Sequence, residues 1–480
     1  MKIRAVAYRF MAFAGYMVIS CSTTPEPEIE PPELEYGPII KVWKTSPDRS
    51  FAFSPTADIR FIKSTTTEPV IRVDTVTRYQ TMDGFGFALT GGSAQLINTK
   101  LIPSARTGLL KELFLPDGNG IGISYLRISI GASDLDGHVF SYDDMPPGET
   151  DVDLENFSIA PDHEHLIPVL KEILAINPSI KILGSPWSAP AWMKTNEDVK
   201  GGSLKTEYCP VYAKYFVKYI QAMANEGITL DAITVQNEPE HPGNTPSMTM
   251  TANEQNDFIK NHLGPAFANA GINTKIIIFD HNCNNPDYPL TILNDPVTKE
   301  IVDGTAFHLY LGSITALSTV HNQHPDKNLY FTEQWTSGEG DFGFDLRWHM
   351  RHVIVGAPRN WSKNVIEWNL ASDENWDPHT DGGCTTCQGA ITINSVTGGV
   401  GKNLSYFLIA HSSKLVRPGS THVASNILDN IHNVAYLTPD GKKVLIAIND
   451  NEDEKTFPVA FKDMIAITKL CAGCAATYYW

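Results

Sequence analysis

The sequence predicts an α/β chain, a (β/α)8 TIM barrel with a β-sandwich side domain built from both chain ends. Three observations carry this. Between residues 82 and 414, eight short apolar runs alternate with longer amphipathic segments, the pattern of parallel strands covered on both faces by helices. Eight such units fit a closed barrel better than an open doubly wound sheet. The first crossover also lacks a dinucleotide-type G-x-G-x-x-G, because Gly84, Gly86, Gly91 and Gly92 do not match that spacing. The flanks 38–81 and 415–480 instead alternate residue by residue, as in Ile71-Arg72-Val73-Asp74, which is the rhythm of half-buried antiparallel strands.

The chain opens with Lys2, Arg4 and Arg9 followed by a short apolar stretch ending Val18-Ile19-Ser20-Cys21. A basic start and a brief apolar run form an export signal. The final four residues resemble the lipobox of bacterial lipoproteins, which implies a signal over 1–20 and a lipid on Cys21. Residues 21–37 form a Pro/Glu-rich linker that cannot bury enough apolar surface to fold. The expectation is a protein exported and anchored by its N-terminal lipid to a bacterial outer membrane, on its periplasmic face or the cell surface.

Within 82–414 the expected strands are 84–89, 123–130, 180–184, 232–236, 275–280, 304–310, 328–332 and 364–368. Helical patterns run over 164–176, 211–224, 254–270 and 346–355. After residue 415, runs such as Val444-Leu445-Ile446-Ala447-Ile448 are separated by turn strings such as Pro439-Asp440-Gly441. Segments 38–81 and 415–480 are therefore assigned to one sandwich. The whole chain's hydrophobic content of 42% supports a large packed core. A formal charge of −17 argues against a partner bound by phosphate neutralisation, so no nucleic acid is expected.

Barrel enzymes carry their chemistry at the C-terminal strand ends. Here the fourth strand ends Gln236-Asn237-Glu238-Pro239 and the seventh ends Thr332-Glu333-Gln334-Trp335. Two carboxylates raised at opposite strand ends can flank a glycosidic bond, one as acid/base and one as nucleophile. Trp187, Trp192, Trp335 and Trp368 offer flat faces to sugar C–H groups. Taken singly, a strand-end Glu is usually a salt-bridge partner and a Trp is usually core. Their joint occurrence at strand ends of one barrel favours the catalytic reading.

The strings MDGFGFALTGG (82–92), YLRISIGASDLD (125–136), GSPWSAPAWMKTN (184–196), TVQNEPEHPG (234–243), AFHLY (306–310) and YFTEQW (330–335) resemble glycoside hydrolase family 30. That family includes glucosylceramidases and β-1,6-glucanases. The resemblance implies retaining hydrolysis of a β-glucan or β-glucoside without cofactor or metal. Glu238 would be the acid/base and Glu333 the nucleophile. Arg127, Asp134, Trp187 and Asn237 would line the first sugar subsite, with His308, Tyr310 and Trp368 beside them. Arg127 would keep Glu333 ionised; the alternative is an interior salt bridge without catalytic consequence.

Leu309 departs from the aromatic that often follows this His in glucosylceramidases. The loop 373–390 is more like that of bacterial members acting on β-1,6-linked glucans, and Trp376 within it is either a sugar platform or a surface-packed side chain. The reading is thus an endo-β-1,6-glucanase, with a glucosylceramidase or exo-acting β-glucosidase as the alternative. A catalytically inactive glycan-binding lipoprotein is the rival of another class, disfavoured because both glutamates are present. A sugar-phosphate enzyme would need a Gly-rich phosphate site that Gln334-Trp335-Thr336 does not resemble.

Of seven cysteines, Cys384-x-x-Cys387 and Cys471-x-x-Cys474 together could suggest zinc. Export favours a local disulfide at 384–387 instead. Cys209 and Cys283 are expected as free thiols, and His163, His165, His321 and His324 as solvated.

Overall fold

The computed structural model describes residues 35–480 apart from 65, 67 and 68. The expected signal, the lipid-bearing Cys21 and most of the Pro/Glu linker lie outside the described residues. No helix among the described residues is long and apolar enough to cross a membrane.

Eight parallel strands form the barrel: Gly84–Ala88, Tyr125–Ile130, Lys181–Pro186, Ala232–Thr234, Lys275–Cys283, Gly304–Gly312, Asn328–Glu333 and Asn364–Asn369. They are hydrogen-bonded in chain order, with the eighth beside the first. The ring closes between the seventh and eighth strands through single bonds, from Lys363 N–H to Leu329 O and from Trp368 N–H to Gln334 O. Gly86 lets the first two strands approach, because a Cβ there would collide with the Tyr125 carbonyl. The fourth strand is shorter than the sequence suggests, so Gln236, Asn237 and Glu238 stand above it rather than in it.

The barrel interior is layered. Tyr125, Leu183, Ala232, Ile277, Ala306, Tyr330 and Ile366, one from each of strands two to eight, form a buried apolar plug. Two residues further along, the same strand faces present Arg127, Ser185, Thr234, His308 and Thr332, all at most 1% exposed, as the two-residue strand period requires. The fifth strand breaks the rule. Phe279 and Asp280 both adopt left-handed backbone, φ 70° and 64°, and Asp280 is skipped in the pairing with the sixth strand. This bulge turns Asp280 inward in place of Phe279. The Phe279 N–H that it frees is taken up by buried Gln255 Oε1 at 2.9 Å.

The helical pattern at 254–270 is realised as Ala252–Phe258 and Gly264–Ala270 joined by a wider turn at Ile259–Leu263. Pro265 lies just past that turn, where it would remove a regular helical hydrogen bond. A capping box between Thr251 and Glu254 starts the segment.

The side domain is one ten-stranded sheet. Its neighbours run Ser54–Pro55, Tyr36–Thr45, Ala475–Tyr479, Lys443–Asn449, Ile431–Leu437, Thr421–Ser425, Ile71–Thr81, Lys455–Phe461, Met464–Leu470 and Ile59–Lys63. Tyr36–Thr45 also pairs with Ile59–Lys63, which brings the sheet back on itself around a core including Val42, Phe61, Leu445 and Trp480. Both chain ends build it, since Lys41 pairs with Tyr479. The wholly buried helix Leu404–Ser413 locks it to the barrel. His411 there bonds Thr45 Oγ1 at 2.9 Å and Thr477 Oγ1 at 2.8 Å, and burial lowers its pKa to about 3.

Candidate active site

At the C-terminal end of the barrel a cavity of about 450 Å³ is lined by Asp134, Trp187, Glu238, Tyr310, Glu333 and Trp368, with Trp335, Asn282 and the Cys384–Cys387 disulfide around them. Six of the nine residues expected at the sugar subsite therefore face one cavity. The other three, Arg127, Asn237 and His308, lie against it as its supporting layer.

Arg127 is wholly buried on the second strand and spends its guanidinium on four partners. Nη1 donates to Glu333 Oε2 at 2.5 Å, Nη2 to Asp280 Oδ2 and Asn237 Oδ1 at 2.7 Å each, and Nε to Ser185 Oγ at 3.1 Å. Its plane lies 4.8 Å from the Trp187 ring centroid and 5.8 Å from that of Trp368. Those two indoles are stacked at 5.3 Å. The Asn237 oxygen is thus committed to Arg127, which leaves its amide NH₂ as the group it can offer a ligand.

Glu238 sits in left-handed backbone, φ 44°, a conformation held by its own N–H donating to Asp280 O at 3.0 Å. His308 links the two glutamates. Its Nδ1 is 3.1 Å from Glu238 Oε1 and 3.5 Å from Glu333 Oε1, and its Nε2 is 3.0 Å from Asp280 Oδ1. Tyr310 Oη donates to Glu333 Oε1 at 2.9 Å. One carboxylate oxygen from each glutamate and one His308 nitrogen all fall within 4.8 Å of one another.

Burial acts on every charge here. It raises the Glu333 carboxyl above the ordinary glutamate value, against the opposing pull of His308 and Arg127. At Glu238 burial is outweighed by the contact with His308, which draws the carboxyl down. His308, despite burial, is raised to about 9 by Glu333, Asp280 and Glu238. Asp280 is held far below the usual carboxylate range, burial notwithstanding, by Arg127 and by hydrogen bonds from His308 and Thr332. Because Asp280 is ionised, Nε2 of His308 donates to it. Nδ1 and Glu238 Oε1 then hold one proton between them, as imidazolium facing carboxylate or as imidazole facing carboxylic acid. These are two forms of a single protonation level of the pair. Asp134, on the cavity wall, is pushed up to about 7 by burial and by Glu333 and Glu238.

Asp280 is the residue that sequence reasoning missed. It lies in the polar string Asp280-His281-Asn282 at a strand end, the same signal that flagged Glu238 and Glu333. Trp192 is a correction in the other direction. Its Nε1 donates to Asp143 O at 3.0 Å and its ring packs on Tyr208, away from the cavity. Trp376 lies against Gly338 and is half-buried outside the cavity lining. The sequence favoured a bridge at Cys384–Cys387 and left Cys471 and Cys474 open; both pairs are disulfides, and Cys209 and Cys283 are buried free thiols. His324 is buried and His321 stacks on Trp361, so neither is simply solvated.

Comparison with known proteins extends this picture. Residues 82–416 match the glycosyl hydrolase family 30 TIM-barrel domain, and residues 419–472 match the β-sandwich domain of the same family. An endo-1,6-β-D-glucanase of Aspergillus fumigatus is 36% identical over 77% of this chain and 78% of its own length. A putative glucosylceramidase of Caenorhabditis elegans is 30% identical over 81% of this chain and 78% of its own. The solved structure of the endo-β1,6-glucanase BT3312 superposes with a TM-score of 0.84 at 34% identity, covering 92% of this chain and 99% of that one.

Proposed function

The chain belongs to glycosyl hydrolase family 30 and is a glycosidase, and from that premise we propose that it is a retaining endo-β-1,6-glucanase using Glu333 as nucleophile and Glu238 as acid/base. The observation that carries the mechanism is the approach of the two carboxylates, with oxygens within 4.8 Å. Retaining enzymes hold the pair about 5–5.5 Å apart, whereas inverting ones leave about 6.5–9.5 Å for a water.

Glu333 attacks the anomeric carbon, with Arg127 and Tyr310 fixing its two oxygens. Glu238 passes the proton held with His308 to the departing glycosidic oxygen. Water then enters, gives its proton to Glu238 and releases the sugar from Glu333. The Asn237 amide faces a sugar hydroxyl, and Asp134, Trp187 and Trp368 complete the first subsite with Tyr310 and His308. The glucan specificity is supported by the names of the relatives and by the 373–390 loop, whose disulfide forms part of the cavity wall. A product time course on linear β-1,6-glucan tests it. A ladder of oligosaccharides is expected; release of glucose alone, or cleavage only of small or lipid-linked glucosides, overturns it.

The protein is, in this reading, exported and tethered by a lipid on Cys21 to a bacterial outer membrane. The basic start, the short apolar run and the Pro/Glu spacer support this. Expression with a radiolabelled fatty acid is expected to label the wild type and not Cys21→Ser; equal labelling of both contradicts it.

A further inference from the structure

We infer that an open groove beside the catalytic cavity, walled by Trp335, Phe344 and Trp348 and floored by Gln334, is a binding subsite for a further glucosyl unit of the same chain. The inference rests on the glucanase reading above and adds a location to it.

The groove has a volume of about 330 Å³ and shares Tyr310 and Trp335 with the catalytic cavity, within the range of ~300–1,000 Å³ common for ligand pockets. A substrate leaving the cavity over Trp335 enters it directly. Phe344 is 66% exposed on the helix Phe342–His349 beside the groove, and Leu311, which lines the catalytic cavity, is 60% exposed. Large apolar side chains turned to solvent on both sides of one passage mark a surface that something covers.

Gln334 identifies the chemistry. It is 6% exposed and follows Glu333 directly, yet among the described residues its side chain has no hydrogen-bond partner, and its Oε1 is buried. The buried Oε1 is out of a ligand's reach, so the amide NH₂, which no group among the described residues accepts from, is what Gln334 offers to the groove. A lipid chain would cover the aromatic faces but leave this amide unpaired. An anionic ligand would meet Asp345 and find no Lys or Arg among the lining residues; His349 on the floor is engaged by Glu367 at 3.0 Å. A neutral sugar ring satisfies both demands, stacking its C–H face on the aromatics and offering hydroxyls to Gln334. A 1,6-linkage passes through an exocyclic CH₂, whose extra torsion lets the chain turn over Trp335.

Phe344→Ala tests this, because the side chain is exposed and its loss does not open the core. The measurement is kcat/KM on a linear β-1,6-gluco-oligosaccharide divided by kcat/KM on an aryl β-glucoside, with Ile467→Ala, 65% exposed on the sandwich, as control. For Phe344→Ala the ratio is expected to fall about 3–10-fold, through KM, as loss of one aromatic contact implies; the control leaves it unmoved. A wild type that cleaves both substrates with a ratio unchanged in Phe344→Ala overturns the subsite alone. A wild type that cleaves only the aryl glucoside overturns the glucanase reading and the subsite with it.

Discussion

Asp280 Oδ2 accepts a hydrogen bond from Arg127 Nη2 at 2.7 Å, with both side chains fully removed from solvent. This buried ion pair sits beneath the two glutamates and reaches both, Glu333 through Arg127 and Glu238 through His308. It makes Asp280 a positioning residue for the whole site.

Asp280→Asn keeps the shape and removes the charge. Breaking a buried pair costs about 3 kcal/mol at the lower end, measurable by urea unfolding at neutral pH. The folded pKa of Asp280 is depressed, so its contribution is complete above the unfolded value of about 3.9 and is lost as pH falls below it. The stability gap between wild type and variant is expected to close in acid. A gap that persists unchanged at low pH contradicts the assignment.

Glu238→Gln is expected to lower kcat by about 10²–10⁴-fold on a glucan, the usual worth of a placed general acid. On a glucoside with a strongly acidic leaving group, which departs without a proton, the first step is expected to be nearly restored and a covalent intermediate to accumulate. An equal loss on both substrates would remove Glu238 from the acid role.

The pH profile of kcat/KM is expected to be bell-shaped. Protonation of Glu333 disables the nucleophile, and because burial raises this carboxyl, the acid limb lies above the ordinary glutamate value of about 4.3. Loss of the proton held between Glu238 and His308 removes the acid, which places the alkaline limb near the His308 value of about 9. In Asp280→Asn the imidazolium loses its buried anion, so the alkaline limb shifts to lower pH. An alkaline limb unmoved in that variant would show that Asp280 acts only as structure.

The sequence made the catalytic glutamates legible because each closes a predicted strand in a polar string that a barrel places at one rim. The inward layer of Arg127, Thr234, His308 and Thr332 follows the two-residue period equally well. Asp280 was hidden by that same period, which points it outward; only the left-handed pair Phe279–Asp280 turns it in. Trp192 was misplaced for a related reason, since it follows the third strand on a short turn, Ala191–Met193, where no periodic rule says which way a side chain faces. That both chain ends share one sandwich was legible, but the return of its sheet on itself was not, because it rests on pairings such as Ile39 with Arg60, and alternation within a strand says nothing of its partner.

The central claim is that Glu333 and Glu238 work as a retaining pair, and the configuration of the first-formed product tests it most directly. Proton NMR of the anomeric region during the first turnovers on a β-1,6-gluco-oligosaccharide is expected to show the β-anomer appearing first, with the α-anomer growing only by mutarotation. Initial release of the α-anomer would mean single displacement and would contradict the covalent role of Glu333.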